Sequence, residues 1–158
     1  MIVTISGLPG TDAREICKQI ALEFNLQYVS LEQIGKGIAL PGNAARVSEM
    51  LKAAVHRKNC IVEHALAGIM LSNADAKIFL LSFRLNRAKM LSRREKTGFD
   101  AALVKIEGEE EILRKIASGE LGAEIDNLNC YDLVLNSDKI MSNDAAELIK
   151  NYIKRAVA

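Results

Sequence analysis

Five short apolar runs punctuate the chain, at residues 2–6, 27–30, 60–63, 76–81 and 131–136. Their length and their content of Ile, Val and Leu suit buried β-strands. Helical patterns fill the intervals and the C-terminal segment, over 12–24, 31–37, 42–57, 85–96, 99–118 and 144–157. Short apolar strands separated by helices make βαβ units, and so a parallel sheet covered on both faces. Right-handed crossovers then close an open three-layer α/β/α sandwich around a five-stranded parallel sheet. In such sheets ligands bind beyond the carboxyl ends of the strands, where the loop after the first strand lies. Pro9 and Pro41 are the only prolines, and both fall in turns. With no repeat, low-complexity tract or linker, the 158 residues read as a single domain.

Composition narrows the partners. Lys and Arg number 21 against 20 Asp and Glu, a balance that gives no electrostatic reason to expect a nucleic-acid or membrane partner. The first residues form a strand with no basic lead-in, and no apolar run approaches a membrane span, so a cytoplasmic protein is expected. Cys17, Cys60 and Cys130 lie in or beside apolar segments without C-x-x-C spacing. They read as reduced, buried thiols rather than disulfide or zinc ligands.

The chemistry concentrates at the end of the first run. Gly7-Leu8-Pro9-Gly10-Thr11 follows the strand at once, and a helix opens near Asp12. Strand, glycine turn and helix are the context of a phosphate-binding P-loop, G-x-x-x-x-G-K-[ST]. Such a loop aims successive backbone N–H groups at phosphate oxygens, helped by the positive end of the helix dipole. That pattern needs Gly, Lys and Ser or Thr at positions 12, 13 and 14; this chain carries Asp12, Ala13 and Arg14, then Glu15. A carboxylate at position 12 competes for the donors a phosphate would use, either as an occupant of the anion site or as a plain N-cap. Ala13 brings no charge to the β- and γ-phosphates, and Arg14 cannot ligate Mg²⁺ as a hydroxyl would. Arg14 reads either as a stand-in cation or as a solvated helix residue.

Later segments point to a family. The opening 2–10, Tyr28-Val29-Ser30, Asn59-Cys60-Ile61-Val62-Glu63 and Leu66-Ala67-Gly68-Ile69-Met70 resemble archaeal cytidylate kinases in order. So do the run 74–80, Arg87-Ala88, Arg94-Glu95 and the stretches 125–129 and 131–135. The resemblance implies a P-loop nucleoside-monophosphate-kinase fold over 1–158. It places a shortened monophosphate-binding region near 31–57 and a lid near 94–122. It also implies phosphate transfer from ATP to CMP with Mg²⁺ if the protein is active. Gly7, Leu8, Pro9, Gly10, Thr11, Asp12, Ala13, Arg14 and Lys36 are the expected nucleotide-binding positions, and Arg94, Arg87 and Arg114 the expected catalytic arginines. Arg87 and Arg94, seven apart, share one helix face.

Departures fall at the positions that should do the chemistry. Lys36 and Ala65 stand where the family carries arginines, and Glu107 aligns with another. Lys36 keeps the charge but loses the bidentate fork. His64 reads as a hydrogen-bonded residue rather than a base, and no metal ligand set is expected. Three functions stay open: a kinase-like protein with an eroded site and residual nucleotide binding, an active cytidylate kinase, or a scaffold that binds no nucleotide.

Overall fold

β1, Ile2–Gly7, runs through the middle of the sheet with its inner residues buried on both faces. The computed structural model describes residues 1–157. β1 pairs in parallel with β3 (Cys60–Glu63) on one side and with β4 (Ala76–Leu81) on the other. β2 (Gln27–Ser30) extends the sheet beyond β3, and β5 (Leu133–Asn136) beyond β4. The order is β2-β3-β1-β4-β5, all parallel. The chain leaves β1 for one edge and later crosses to the other, which opens a crevice at the carboxyl end of the central strand.

Alternation along β1 sorts the core into two layers. Val3 and Ile5 pack with Ile61, Ile78 and Leu80 beneath α1 (Ala13–Phe24) and α7 (Ser142–Ala156). α1 turns its buried stripe of Ala13, Ile16, Cys17, Ile20 and Ala21 to this face. It stops at Asn25, whose left-handed backbone sends its N–H to the Ala21 carbonyl. On the other face Val29, Val62 and Phe79 meet α3 (Ala44–Val55), the single turn α4 (Ala67–Met70) and Ile116 and Ala117 of α6 (Phe99–Glu120). α5 (Arg84–Glu95) and the first half of α6 form a hairpin with its own small core of Ala88, Leu91, Ala102 and Ile106. α2 (Leu31–Ile34) follows β2 directly, opened by a capping box between Ser30 and Gln33.

The five strands and six of the helices match the reading from periodicity, with shifted ends. α3 is shorter than 42–57, and α2 shorter than 31–37, since Gly35 and Gly37 follow it. The α4 turn and a 3₁₀ turn at Leu128–Cys130 went unpredicted, because neither is long enough to show a period. Cys17 and Cys60 are buried free thiols, whereas Cys130 is only half-buried.

Close packing fixes α4 against β1. The Gly68 N–H donates to Ser6 Oγ at 3.1 Å, and a Cβ on Gly68 would stand 2.5 Å from Tyr131 Cε1. Tyr131 is itself held against Phe79, with ring centroids 4.9 Å apart. Gly68→Ala is therefore expected to cost about 1–3 kcal/mol by overpacking, read as a lower urea midpoint at unchanged slope.

Candidate functional site

The loop after β1 is a closed turn. The Thr11 N–H donates to the Leu8 carbonyl at 3.3 Å. Pro9 and then Gly10, at φ +93°, occupy the central positions, the type II pattern. Thr11 is buried, and a Cβ on Gly7 would lie 2.5 Å from its Oγ1. Gly10 abuts α5 so closely that a Cβ would stand 2.7 Å from the Arg87 carbonyl oxygen. Only glycine satisfies both that contact and the positive φ.

Two arginines of α5 grip this turn. Arg87, 2% exposed, donates through Nη1 to the Pro9 carbonyl at 2.9 Å and through Nε to the Ser82 carbonyl at 3.1 Å. Arg94 donates through Nη2 to the Thr11 carbonyl at 3.3 Å and to Asp12 Oδ1 at 2.8 Å. The shared helix face expected of 87 and 94 thus faces the loop. Arg87, however, turns inward to protein carbonyls and lies outside the cleft lining, while Arg94 belongs to it.

Asp12 departs from both expected roles. It stands at the N-cap position of α1, yet its side chain makes no cap bond and does not line the cleft. Its carboxylate reaches sideways, to Arg94 and, through Oδ2, to the Ser142 hydroxyl at 2.5 Å. The reason is local: a cation at the end of α5 and a hydroxyl at the start of α7 offer stronger partners than two backbone amides. The N–H groups of residues 12–15 make no hydrogen bond among the described residues, so the orphan donors of α1 stay available.

Beyond the loop lies a cleft of about 590 Å³ between β1, β3, α2 and the α5–α6 hairpin. Its wall carries three cations, and each already has a carboxylate partner. Arg14 donates through Nη2 to Glu32 at 3.3 Å and lies 3.6 Å, through Nε, from Glu63. Arg14 is therefore neither a free stand-in cation nor merely solvated. Lys105 donates to Glu95 at 2.7 Å, and Arg94 is held by Asp12. Glu15 and Glu109 also line the cleft, which makes five glutamates against three cations. Apolar Leu8, Leu40, Ala65, Ile112, Leu113 and Ile116 complete the wall.

Glu63 ends β3 and accepts from the Tyr28 hydroxyl at 3.1 Å. Burial raises its carboxyl above the usual range, against the pull of Tyr28 and Arg14. His64 accepts the Leu66 N–H at Nδ1, 3.1 Å away, so the proton of the neutral ring sits on Nε2. Burial pulls its pKa down to about 4, leaving it uncharged near neutrality. Because its unfolded pKa is near 6.5, stability from His64 is full above that value and falls as pH drops toward 4. His64→Asn keeps an acceptor for Leu66, and is expected to flatten the urea midpoint between pH 6.5 and 4.

Other expected site residues sit elsewhere. Lys36 is exposed and outside the cleft lining, in the turn after α2. Glu107 pairs with Arg84 at 3.6 Å rather than facing the cleft. Arg114 is bound to Glu110 at 2.8 Å and to Asp126 at 2.8 Å. Glu110 itself was not anticipated. It is 3% exposed and accepts from Arg84, Arg87 and Arg114 together. Burial opposes its ionisation, but the hydrogen bonds from Arg114 and Arg87 prevail and hold its carboxyl at about 2. A signal was present: 102, 106 and 110 repeat every four residues on the inward face of α6, so Glu110 holds a core position. Glu120, at the end of α6, also escaped notice. It caps α3 from outside, accepting the Gly42 and Ala44 N–H groups at 2.7 and 2.9 Å.

No helix of the described residues is long and apolar enough to cross a membrane. No family model matches the chain. Among solved structures, an uncharacterized protein from Eubacterium ventriosum superposes with a TM-score of 0.84 at 17% identity, over 98% of this chain and 99% of that one. A shikimate kinase from Bacteroides thetaiotaomicron gives 0.66 at 13% identity, over 98% of each. These establish the fold as that of a P-loop kinase. Sequence relatives are closer. The cytidylate kinase of Methanococcus vannielii is 29% identical, with 98% of this chain and all of the relative covered. That of Thermococcus kodakarensis is 28% identical over 87% of this chain and 79% of the relative. The cytidylate kinase of Pyrococcus horikoshii is 30% identical over 97% of this chain and 88% of its own length. With the five-stranded sheet and the glycine loop at its switch point, that similarity shows that the chain belongs to the family of archaeal cytidylate kinases.

Proposed function

We propose that this protein is a cytidylate-kinase-like protein with an eroded site. It transfers phosphate weakly or not at all and keeps a residual nucleotide-binding or regulatory role. One observation carries the reading: every cation on the cleft wall is already ion-paired, while the wall holds more carboxylates than cations. Phosphoryl transfer depends on positioning and on cancelling charge at the phosphates. A cleft whose cations are already spent on carboxylates, Arg14 and Lys105 on its own glutamates and Arg94 on Asp12, offers little of either. In this reading, residues 31–57 are a shortened monophosphate-binding region and 94–122 a lid.

Mg²⁺·ATP fits the site poorly. Position 14 supplies a guanidinium tied to Glu32 and Glu63 instead of a hydroxyl. The nearby hydroxyl of Thr11 is packed against Gly7. What favours a second reading, an active kinase using ATP and Mg²⁺, is the row of available N–H donors at 12–15 and the presence of Arg94 on the cleft wall. In that reading Arg94→Ala strongly reduces CDP formation, and an unchanged rate would remove it.

The apolar wall suits a base better than a phosphate. CMP is thus expected to bind no more than a few-fold tighter than cytidine in calorimetric titrations. CMP binding more than about tenfold tighter than cytidine would show an intact phosphate site, since that ratio is about 1.4 kcal/mol assigned to the phosphate alone. Binding of neither compound would remove the nucleotide-binding role and leave a scaffold.

A further inference from the structure

Asp12 joins three helices at one point. Its Oδ1 accepts from Arg94 at the end of α5, its Oδ2 from Ser142 at the start of α7, and its backbone opens α1. The Ser142 hydroxyl fixes the carboxylate so that it turns away from the α1 amides. Arg94 is drawn down onto the loop, where it also meets the Thr11 carbonyl. It is the one cation of the cleft wall that sits at the end of the α5–α6 hairpin beside the loop, and its side chain remains 42% exposed.

We propose that Asp12 is a built-in counter-anion, a latch that occupies Arg94 in place of a phosphate oxygen and keeps the hairpin drawn to the loop. A polyphosphate arriving at the amides of residues 13–15 has to win Arg94 from Asp12 and meets the repulsion of that carboxylate at the same time. The two effects act together, because the residue that spends the cation is the residue that precedes the amides. The latch deepens the eroded-site reading and rests on it: it names the contact that suppresses anion binding in a fold whose loop still presents its donors. Ser142 is a positioning residue in this arrangement, acting on Arg94 only through Asp12.

The test is titration of inorganic pyrophosphate, without metal, into the full-length protein and its variants. Asp12→Ala is expected to bind pyrophosphate at least tenfold tighter than the parent. Asp12→Ala/Arg94→Ala carries neither charge, and its affinity is expected to return to that of the parent, in which the two charges are paired with each other; this separates release of the arginine from simple removal of a negative charge. Ser142→Ala, which leaves both charges in place, is expected to give a smaller gain that also disappears in Ser142→Ala/Arg94→Ala; it serves as well should Asp12→Ala fold poorly. Equal affinity of parent and both single variants, no binding by any of them, or a gain that survives loss of Arg94 would each overturn the latch. These outcomes are independent of turnover by the parent, so failure of the latch and failure of the eroded-site reading are told apart.

Discussion

Glu110→Ala is expected to lower the melting temperature by on the order of 10 °C. The carboxylate is 3% exposed and joins Arg84, Arg87 and Arg114. Arg84 and Arg114 keep access to water, at 48% and 39% side-chain exposure, and can be resolvated when Glu110 is lost. Arg87 cannot, because its side chain is 3% exposed and wedged between the loop and α6. Breaking a buried pair by removing one partner costs about 3–5 kcal/mol, since a charge is left uncompensated. That is a large share of the roughly 5–15 kcal/mol that holds a domain together. At about 2–4 °C per kcal/mol for a chain of this size, the melting shift follows. Arg114→Ala, by contrast, removes a half-exposed partner and is expected to cost about 1 kcal/mol or less. If the two substitutions destabilise equally, Glu110 is not the keystone of the hairpin.

The same group gives an acid signature. Its folded pKa, about 2, lies below the ordinary 4.5. A depressed carboxyl stabilises the fold fully above its unfolded value and loses that contribution as pH falls from 4.5 toward 2. The window overlaps that of His64 only between pH 4.5 and 4, so the two losses can be told apart along one pH series of urea midpoints.

The fold was legible because its strands are short, apolar and evenly interrupted. Ile2 to Ser6, Cys60 to Glu63 and Ala76 to Leu81 declare buried parallel strands whatever their neighbours do. The loop was legible for the same local reason: Gly7, Pro9 and Gly10 fit one turn geometry. The site was less so, because its electrostatics depend on partners far apart in sequence. Asp12 looks like a cap until Arg94 and Ser142, 82 and 130 residues away, are brought beside it. Arg87 and Arg114 look like phosphate ligands until Glu110 takes both. Glu110 was hidden inside the run Glu109-Glu110-Glu111, where only helical phase distinguishes the buried carboxylate from its exposed neighbours. Glu120 gave no local sign, since the amides it binds belong to the start of α3 and the turn before it, more than seventy residues earlier.

The second large effect concerns turnover. Loss of a single preorganised stabiliser of developing charge commonly lowers a rate by on the order of 10²–10³. Against the P-loop pattern, this chain lacks the lysine at 13 and the hydroxyl at 14. Arg14, Arg94 and Arg114, which could have compensated, are bound to Glu32 and Glu63, to Asp12, and to Glu110 and Asp126. Two missing stabilisers at the lower end of that range already imply about 10⁴-fold. Kinases commonly turn over at about 1–100 s⁻¹, so the expected rate here is below about 10⁻² s⁻¹. The decisive measurement is CDP formation by the purified protein at saturating CMP and Mg²⁺·ATP. A rate at or below about 10⁻² s⁻¹ is the expected result. A rate of about 1 s⁻¹ or more, within the ordinary kinase range, would contradict the eroded site.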